Sequence, residues 1–442
     1  MMFWIQLLIV LLAIFVGARL GGIGLGVMGG LGLTVLTFGF GLQPTAPPID
    51  VMLMIAAVIT AAGSLQTAGG MDYLVSLAER ALRKNPSRIT FMGPIVTYIF
   101  TFCAGTGHVS YSILPVIAEV SRQSGVRPER PLSISVIASQ QAITASPISA
   151  ATVALVSLLA GYQISLINIL MISVPATFIS CMITAWVMTK VGKDLNDDLE
   201  YQQRVKDGLV QETLDTNAEQ REAAAKPYAK RSVVLFLFGV LLVVLLGSLP
   251  QLRPAWVTDG KLVPLSMAYA IELVMLSIAA LILLFCKVNA SHLIKSNVFL
   301  AGMQAVISIF GIAWLGDTFF AGHMDQISIW IKNSVTAAPW LFAIALFVLS
   351  ILLYSQAATI RALMPLGIAL GLPPAALIAM FPAVNGYFFI PNYPTVIAAI
   401  NFDRTGTTRI GKYVLNHSFM LPGLIATVLA VAIGFGLAQL IL

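Results

Sequence analysis

Apolar positions run through this chain in long unbroken stretches, and polar residues fall between the stretches instead of alternating with them. A helix needs roughly 20 such residues to cross a bilayer. The pattern predicts spans near 3–18, 22–42, 51–69, 131–160, 164–189, 232–249, 265–285, 297–316, 374–402 and 417–440. Two further apolar segments, 89–121 and 340–370, are each broken midway by a small polar cluster. The first break reads AGTGHVSYSILP at 104–115, and the second reads YSQAATIRALMP at 354–365, about 250 positions later. Each is followed by another break, TASPIS at 144–149 and IPNYPT at 390–395. Lipid cannot satisfy backbone that leaves the helix, so these breaks must be buried or line a polar cavity. Paired interruptions in corresponding places of two halves point to a transporter's binding site.

Composition agrees with the pattern. Of 442 residues, 58% are hydrophobic and 10% charged, against about 25% charged in soluble chains. The net charge of +6 reflects orientation, with no acidic or nucleic-acid partner needed to explain it. With the N-terminus outside, nearly every Lys and Arg lands on an inner loop. The exceptions are Arg253, Lys261 and Lys332 outside and Arg361 within a span, which satisfies the positive-inside rule. The first apolar run lacks a basic leader and precedes Arg19, so it reads as a retained helix and not a cleaved signal.

The same charges orient the interrupted segments. Segment 89–121 lies between Lys84 and Arg88 on one side and Arg122, Arg127 and Arg130 on the other, so both of its ends are cytoplasmic. Segment 340–370 has no Lys or Arg at either end and fits entry and exit on the outer face. Their arms are short for a full crossing, which favours re-entrant hairpins. The fold class is therefore an all-α polytopic membrane protein built as an inverted-topology repeat. Each half, 1–189 and 232–442, carries a re-entrant hairpin and a broken helix, 131–160 in the first half and 374–402 in the second. Residues 190–231 form a polar, mixed-charge cytoplasmic linker, and 70–88 an amphipathic helix on the inner leaflet.

Chemistry concentrates at the breaks. Gly105-Thr106-Gly107-His108 allows a tight reversal, with a hydroxyl and an imidazole at the tip. A helix beginning there aims its N-terminal amides at an anion. The second tip offers Ser355, Gln356 and Thr359, with Arg361 close behind. Arginine inside a span costs at least about 2.5–3.5 kcal/mol on insertion scales, and its fork matches a carboxylate. Structural roles remain open: small-residue packing at the glycines, and pairing of Arg361 with Glu119, Glu272 or Asp317. Thr144, Ser146 and Ser149 surround Pro147, while Asn392 and Thr395 flank Pro394; each proline frees a backbone carbonyl. Gln140 and Gln141 precede the first break in a pore-lining or packing role. The polar loop 401–409 reads as a solvated turn, with ligand sensing or gating of the inner face as the alternative. Cys103, Cys181 and Cys286 fit packing, and no metal-ligand, cofactor, P-loop or nucleophile motif is present, so neither an enzyme nor a cofactor is expected.

At LLAIFVGARLGGIGLG, AGTGHVSYSILPVIAEV, GVRPERP, ITASPISAA, GIAWLGDTF, YSQAAT, IPNYPTVIAAI, DRTGTTRIGK and NHSFMLPG the chain resembles the anaerobic C4-dicarboxylate transporter (Dcu) family of bacterial inner-membrane proteins. The resemblance covers nearly all of the chain outside 190–231 and mixes features of two family branches. It implies exchange of fumarate, malate, aspartate and succinate at the inner membrane, where the charge map places both termini in the periplasm; the wider superfamily of such carriers adds frequent homodimers. The wider ion-transporter superfamily implies elevator-like motion. Its Ser-Asn-Thr tips are replaced here by Gly105-Thr106-Gly107 and Ser355-Gln356-Ala357, which argues against sodium coordination. The rival readings are a proton- or sodium-coupled symporter and a membrane sensor whose inner loops bind a kinase.

Overall fold

Glycine and proline set most of the element boundaries. The computed structural model describes residues 2–20, 23–162, 164–208, 210, 226–258, 261–335, 340–353, 355–391, 393–411, 413 and 415–442. In chain order the helices are α1 (Met2–Leu20), α2 (Gly24–Thr34), α3 (Ile49–Thr67), α4 (Gly70–Lys84), α5 (Ile89–Ala104), α6 (Ser110–Gln123), α7 (Glu129–Ala145), α8 (Ala150–Leu159), α9 (Leu166–Met188) and α10 (Leu199–Lys206). After these come α11 (Ala229–Ser248), α12 (Met267–Phe285), α13 (Ala290–Leu293), α14 (Asn297–Val335), α15 (Leu341–Leu353), α16 (Gln356–Ala369), α17 (Pro374–Ala379), α18 (Pro394–Phe402) and α19 (Met420–Ile441). Among the described residues, 7 helices are long and apolar enough to cross a membrane. The protein is thus a multi-pass α-helical membrane protein.

The helices pack in two groups. One contains α1, α2, α3, α11, α12 and α14. Its tightest crossing sets Gly26 of α2 against Gly311 of α14, where a Cβ on Gly311 would land on the Gly26 carbonyl oxygen. The other group contains α5 to α9 and α15 to α19, with α7 packed on α5 and α9, and α19 on α9 and α17. Contacts of α16 with α14 and of α8 with α3 join the groups.

Both interrupted segments are helical hairpins: α5 packs on α6, and α15 on α16. Their arms of 16, 14, 13 and 14 residues agree with the short arms expected. The amphipathic stretch is α4, bent 71° from α3. Trp4, Trp256 and Trp340 are all exposed, as interfacial anchors should be.

Four expectations need correction. The second break spans 380–393, not 390–395: helix is already lost after Ala379, and two short 3-10 turns, Phe381–Val384 and Gly386–Phe388, follow. Pro382 lacks the N–H that would have continued α17. Helix α14 runs far past the predicted end at 316, because polar residues end a hydrophobic stretch without ending a helix. The chain is not wholly α: Ala255–Thr258 and Lys261–Pro264 pair as an antiparallel ribbon. Finally, loop 401–409 is not a solvated turn. Asp403, Thr405, Thr407 and Thr408 are buried there, and the Asp403 carboxylate accepts from Thr405 N (2.9 Å), Thr407 Oγ1 (2.8 Å) and Thr408 N (2.6 Å).

Candidate functional site

The first hairpin reverses at Gly105, whose φ of +69° is left-handed and suits glycine. A Cβ there would stand 2.9 Å from Ile148 Cγ1, so the tip is pressed onto the break between α7 and α8. That break follows from Pro147, which holds Ser146 extended (φ −78°, ψ 129°). Ser146 Oγ donates to Phe102 O at 2.6 Å, satisfying a carbonyl freed by the end of α5. Ser149 caps α8 by accepting from Thr152 N (3.1 Å), and Thr144 Oγ1 donates to Gln141 O (2.8 Å). These three hydroxyls are buried and bonded within the protein.

Thr106 and Gly105 line a cavity of about 90 Å³ with Ala62, Ile148 and Val298. Val298 also lines a second cavity of about 290 Å³, together with Gln66, Tyr111, Ser112 and Asn297. Gly107 and His108 lie in the 3-10 turn Gly107–Val109; the His108 side chain is outside the described residues.

The second hairpin closes differently. Ser355 caps α16 by accepting from Ala358 N (3.2 Å), and Thr359 Oγ1 donates to Ser355 O (2.8 Å). The next residue, Gln356, joins a buried network of carboxamides. Its Nε2 donates to Asn385 Oδ1 (3.0 Å) and to Gln140 Oε1 (3.4 Å). Asn385 Nδ2 donates to Gln141 Oε1 (3.1 Å) and Pro382 O (3.1 Å). Gln141 Nε2 reaches Thr427 Oγ1 (3.2 Å), and Gln140 Nε2 reaches Thr395 Oγ1 (3.1 Å). Every residue of this network is buried. It ties the first broken helix to the second hairpin tip, the second break and the last helix.

Two tyrosines flank the network, Tyr387 and Tyr393, with ring centroids 4.8 Å apart and planes 25° from parallel. The Tyr387 hydroxyl is fully buried beside the Gln356 backbone, with no side-chain hydrogen-bond partner among the described residues.

Arg361 follows Gln356 on α16, about 7.5 Å along the axis at 1.5 Å per residue. Its Nε is buried without a hydrogen-bond partner, and among the described residues no carboxylate lies within 4.0 Å of the guanidinium. Asp317 of α14 is its principal electrostatic neighbour, with Asp50 next. Glu119 pairs instead with Arg122 (3.1 Å). Asn392 lies outside the described residues.

Of the residues singled out in the sequence, the structure brings Gln356, Thr395, Gln140 and Gln141 together. Thr106 and Arg361 take part in other surroundings. Asn385, Tyr387 and Thr427 were missed, although Asn385 stands in the apolar run MFPAVNGYFF, where an uncharged polar residue is itself a signal.

At one end of the second group, charged loops interlock. Arg127 pairs with Glu129 (2.6 Å) and Asp198, Arg130 with Asp194 (2.6 Å), and Arg409 with Glu200 (2.5 Å). Ser418 Oγ donates to Glu129 Oε1 (2.7 Å). The start of segment 190–231 is therefore docked on both broken-helix ends, while 211–225 fall outside the described residues.

Comparison with known proteins adds identity to this geometry. The family described as "Anaerobic c4-dicarboxylate membrane transporter" matches residues 2–442. The C4-dicarboxylate transporter DcuA of Wolinella succinogenes is 46% identical over 437 residues, covering 99% of both chains. DcuA of Escherichia coli K12 is 45% identical over 443 residues, again with 99% of each covered. The anaerobic C4-dicarboxylate transporter DcuB of Escherichia coli O6:H1 is 41% identical, with 98% of each covered. Among solved structures, Neisseria gonorrhoeae MtrF, titled as illuminating a class of antimetabolite efflux pumps, overlays with a TM-score of 0.50. That match covers 92% of this chain and 83% of the other at 11% identity, a likeness of fold alone.

Proposed function

Since this chain belongs to the anaerobic C4-dicarboxylate membrane transporter family and is a transporter, not an enzyme, we propose that it works as an obligatory antiporter of the bacterial inner membrane. It takes in fumarate, malate or aspartate and releases succinate. The halves 1–189 and 232–442 form an inverted repeat around the linker 190–231. Hairpin α5–α6 opens to the cytoplasm, hairpin α15–α16 to the periplasm, and both termini are periplasmic.

One observation carries the antiport reading: the half-buried Arg361 guanidinium has an Nε with no hydrogen-bond partner. A desolvated cation lacking a close counter-charge is costly, and a carboxylate forked onto it offsets that cost. An empty carrier must move this group with no carboxylate in contact, Asp317 acting only from a distance, whereas a loaded one does not. Asn392 and Thr395 complete the Arg361 end. The second carboxylate meets Thr106, His108 and the amides of the first tip, beside the cavity that Thr106 lines. Thr144, Ser146 and Ser149 shape the break by their internal bonds and present its backbone to the ligand. Ser355, Gln356 and Thr359 form the lid at the other end.

Proteoliposomes loaded with succinate are expected to take up labelled fumarate, with much less uptake into empty vesicles. Equal uptake in both rejects exchange. A requirement for sodium or a proton gradient turns the assignment to symport.

A further inference from the structure

The carboxamide network has a fixed polarity, and its anchor is a backbone group. Asn385 Nδ2 faces Pro382 O at 3.1 Å, and a carbonyl oxygen can only accept, so the amide of Asn385 can point only one way. Its Oδ1 must then face Gln356, which makes Gln356 Nε2 the donor (3.0 Å). That Nε2 faces Gln140 Oε1 (3.4 Å), so the Gln140 NH2 group is turned to Thr395 (3.1 Å). On the other side, Asn385 Nδ2 donates to Gln141 Oε1, so the Gln141 NH2 group is turned to Thr427 (3.2 Å). One carbonyl thus sets the orientation of four side-chain amides.

Opening the site at Gln356 therefore has a chemical outcome. Gln356 is the hairpin-tip residue and the shared donor to two oxygens. A ligand group that takes the place of Gln356 Nε2 meets Asn385 Oδ1 and Gln140 Oε1 as acceptors, while the NH2 groups of both side chains stay engaged with Gln141, Pro382 and Thr395. The Tyr387 hydroxyl, fully buried and without a side-chain partner among the described residues, stands beside the same Gln356 backbone. What faces an entering ligand here is a pair of acceptors with a hydroxyl. Carboxylate oxygens are repelled by such a pair; an ammonium or alcohol group is held by it.

We propose that Gln140 Oε1 and Asn385 Oδ1, aided by the Tyr387 hydroxyl, bind the 2-amino or 2-hydroxyl group of a substituted four-carbon dicarboxylate and set the ranking among substrates. The inference rests on the dicarboxylate exchange proposed above and assigns these residues a role in specificity. Aspartate and malate satisfy both oxygens. Succinate and fumarate leave them unpaired, and sites built to hydrogen-bond a substrate group discriminate against analogues that lack it.

The test is inhibition of labelled fumarate uptake into succinate-loaded proteoliposomes by unlabelled aspartate, malate and succinate. The wild-type carrier is expected to be inhibited better by aspartate and malate than by succinate; the reverse order overturns the proposal without any variant. In Gln140→Met and Asn385→Leu the advantage of the substituted acids over succinate is expected to fall about tenfold, the worth of one lost hydrogen bond. Tyr387→Phe should lower it less. A change by the same factor for every acid, or an unchanged ranking in Gln140→Met, overturns the assignment. Failure of exchange itself shows up separately, as wild-type vesicles that take up no labelled fumarate.

Discussion

Gln141 in the first broken helix accepts a hydrogen bond from Asn385 in the second break at 3.1 Å, across 244 positions of sequence. Both side chains are buried, so neither can exchange its partner for water. The bond ties the two breaks together at the level where the second hairpin tip rests.

Removing that link should be costly. Gln141→Leu leaves Asn385 Nδ2 and Thr427 Oγ1 each short of a partner, at about 1–3 kcal/mol per unsatisfied buried group. A lower midpoint of thermal unfolding in detergent and reduced uptake of every substrate alike are expected. An unchanged midpoint would show that the network contributes nothing to stability.

Arg361 is predicted to decide affinity. Arg361→Ala should abolish saturable fumarate exchange, and Arg361→Lys should retain part of it, because the ammonium keeps the charge and loses the forked geometry. Ligand-induced thermal stabilisation measures binding apart from transport. Full stabilisation of Arg361→Ala by succinate would remove the residue from the site.

The first hairpin tip should tolerate no side chain at Gly105. Alanine in the left-handed region costs roughly 1–2 kcal/mol, and its Cβ meets Ile148. Gly105→Ala is expected to slow exchange more than it lowers the yield of folded protein. Relief of that contact by a double change with Ile148→Ala should recover part of the rate if the clash is the cause.

The α2–α14 crossing is a matter of shape alone. Gly311→Leu must push the two backbones apart where they touch, and overpacking of this kind costs about 1–3 kcal/mol. Loss of monodisperse protein on size exclusion is the expected readout, with Gly30→Ala, a position facing open space, as the neutral control.

Asp403 organises its loop by accepting from Thr405, Thr407 and Thr408. Asp403→Ala strands these buried donors at a cost on the order of 3 kcal/mol. Limited proteolysis within 403–409, absent in the parent and present in the variant, would report the loosened loop; equal resistance would argue against the network.

Much of this was legible beforehand because its causes are local. The hairpin arms, the turn at Gly105 and the break at Pro147 follow from residues that act on their immediate neighbours. The second break was misplaced for an equally local reason: Pro391 and Pro394 drew the boundary, although Pro382 had already ended the helix. The solvated reading of 401–409 failed because a polar run looks the same whether it faces water or satisfies itself around a buried carboxylate.

By itself, then, the sequence determined that the chain lives in a membrane and where the first hairpin and the first broken helix are interrupted. Insertion depends on summed hydrophobicity, and breakage on missing amides and permissive dihedrals, each of which acts within a few residues. Only the tertiary structure decided which polar groups meet in the interior. Gln140 finds Thr395 and Gln141 finds Asn385 because of how helices rotate and cross, and no local property of glutamine encodes that choice. Once Pro382 O turns Asn385 one way, the orientation of the neighbouring amides follows from hydrogen-bond chemistry alone.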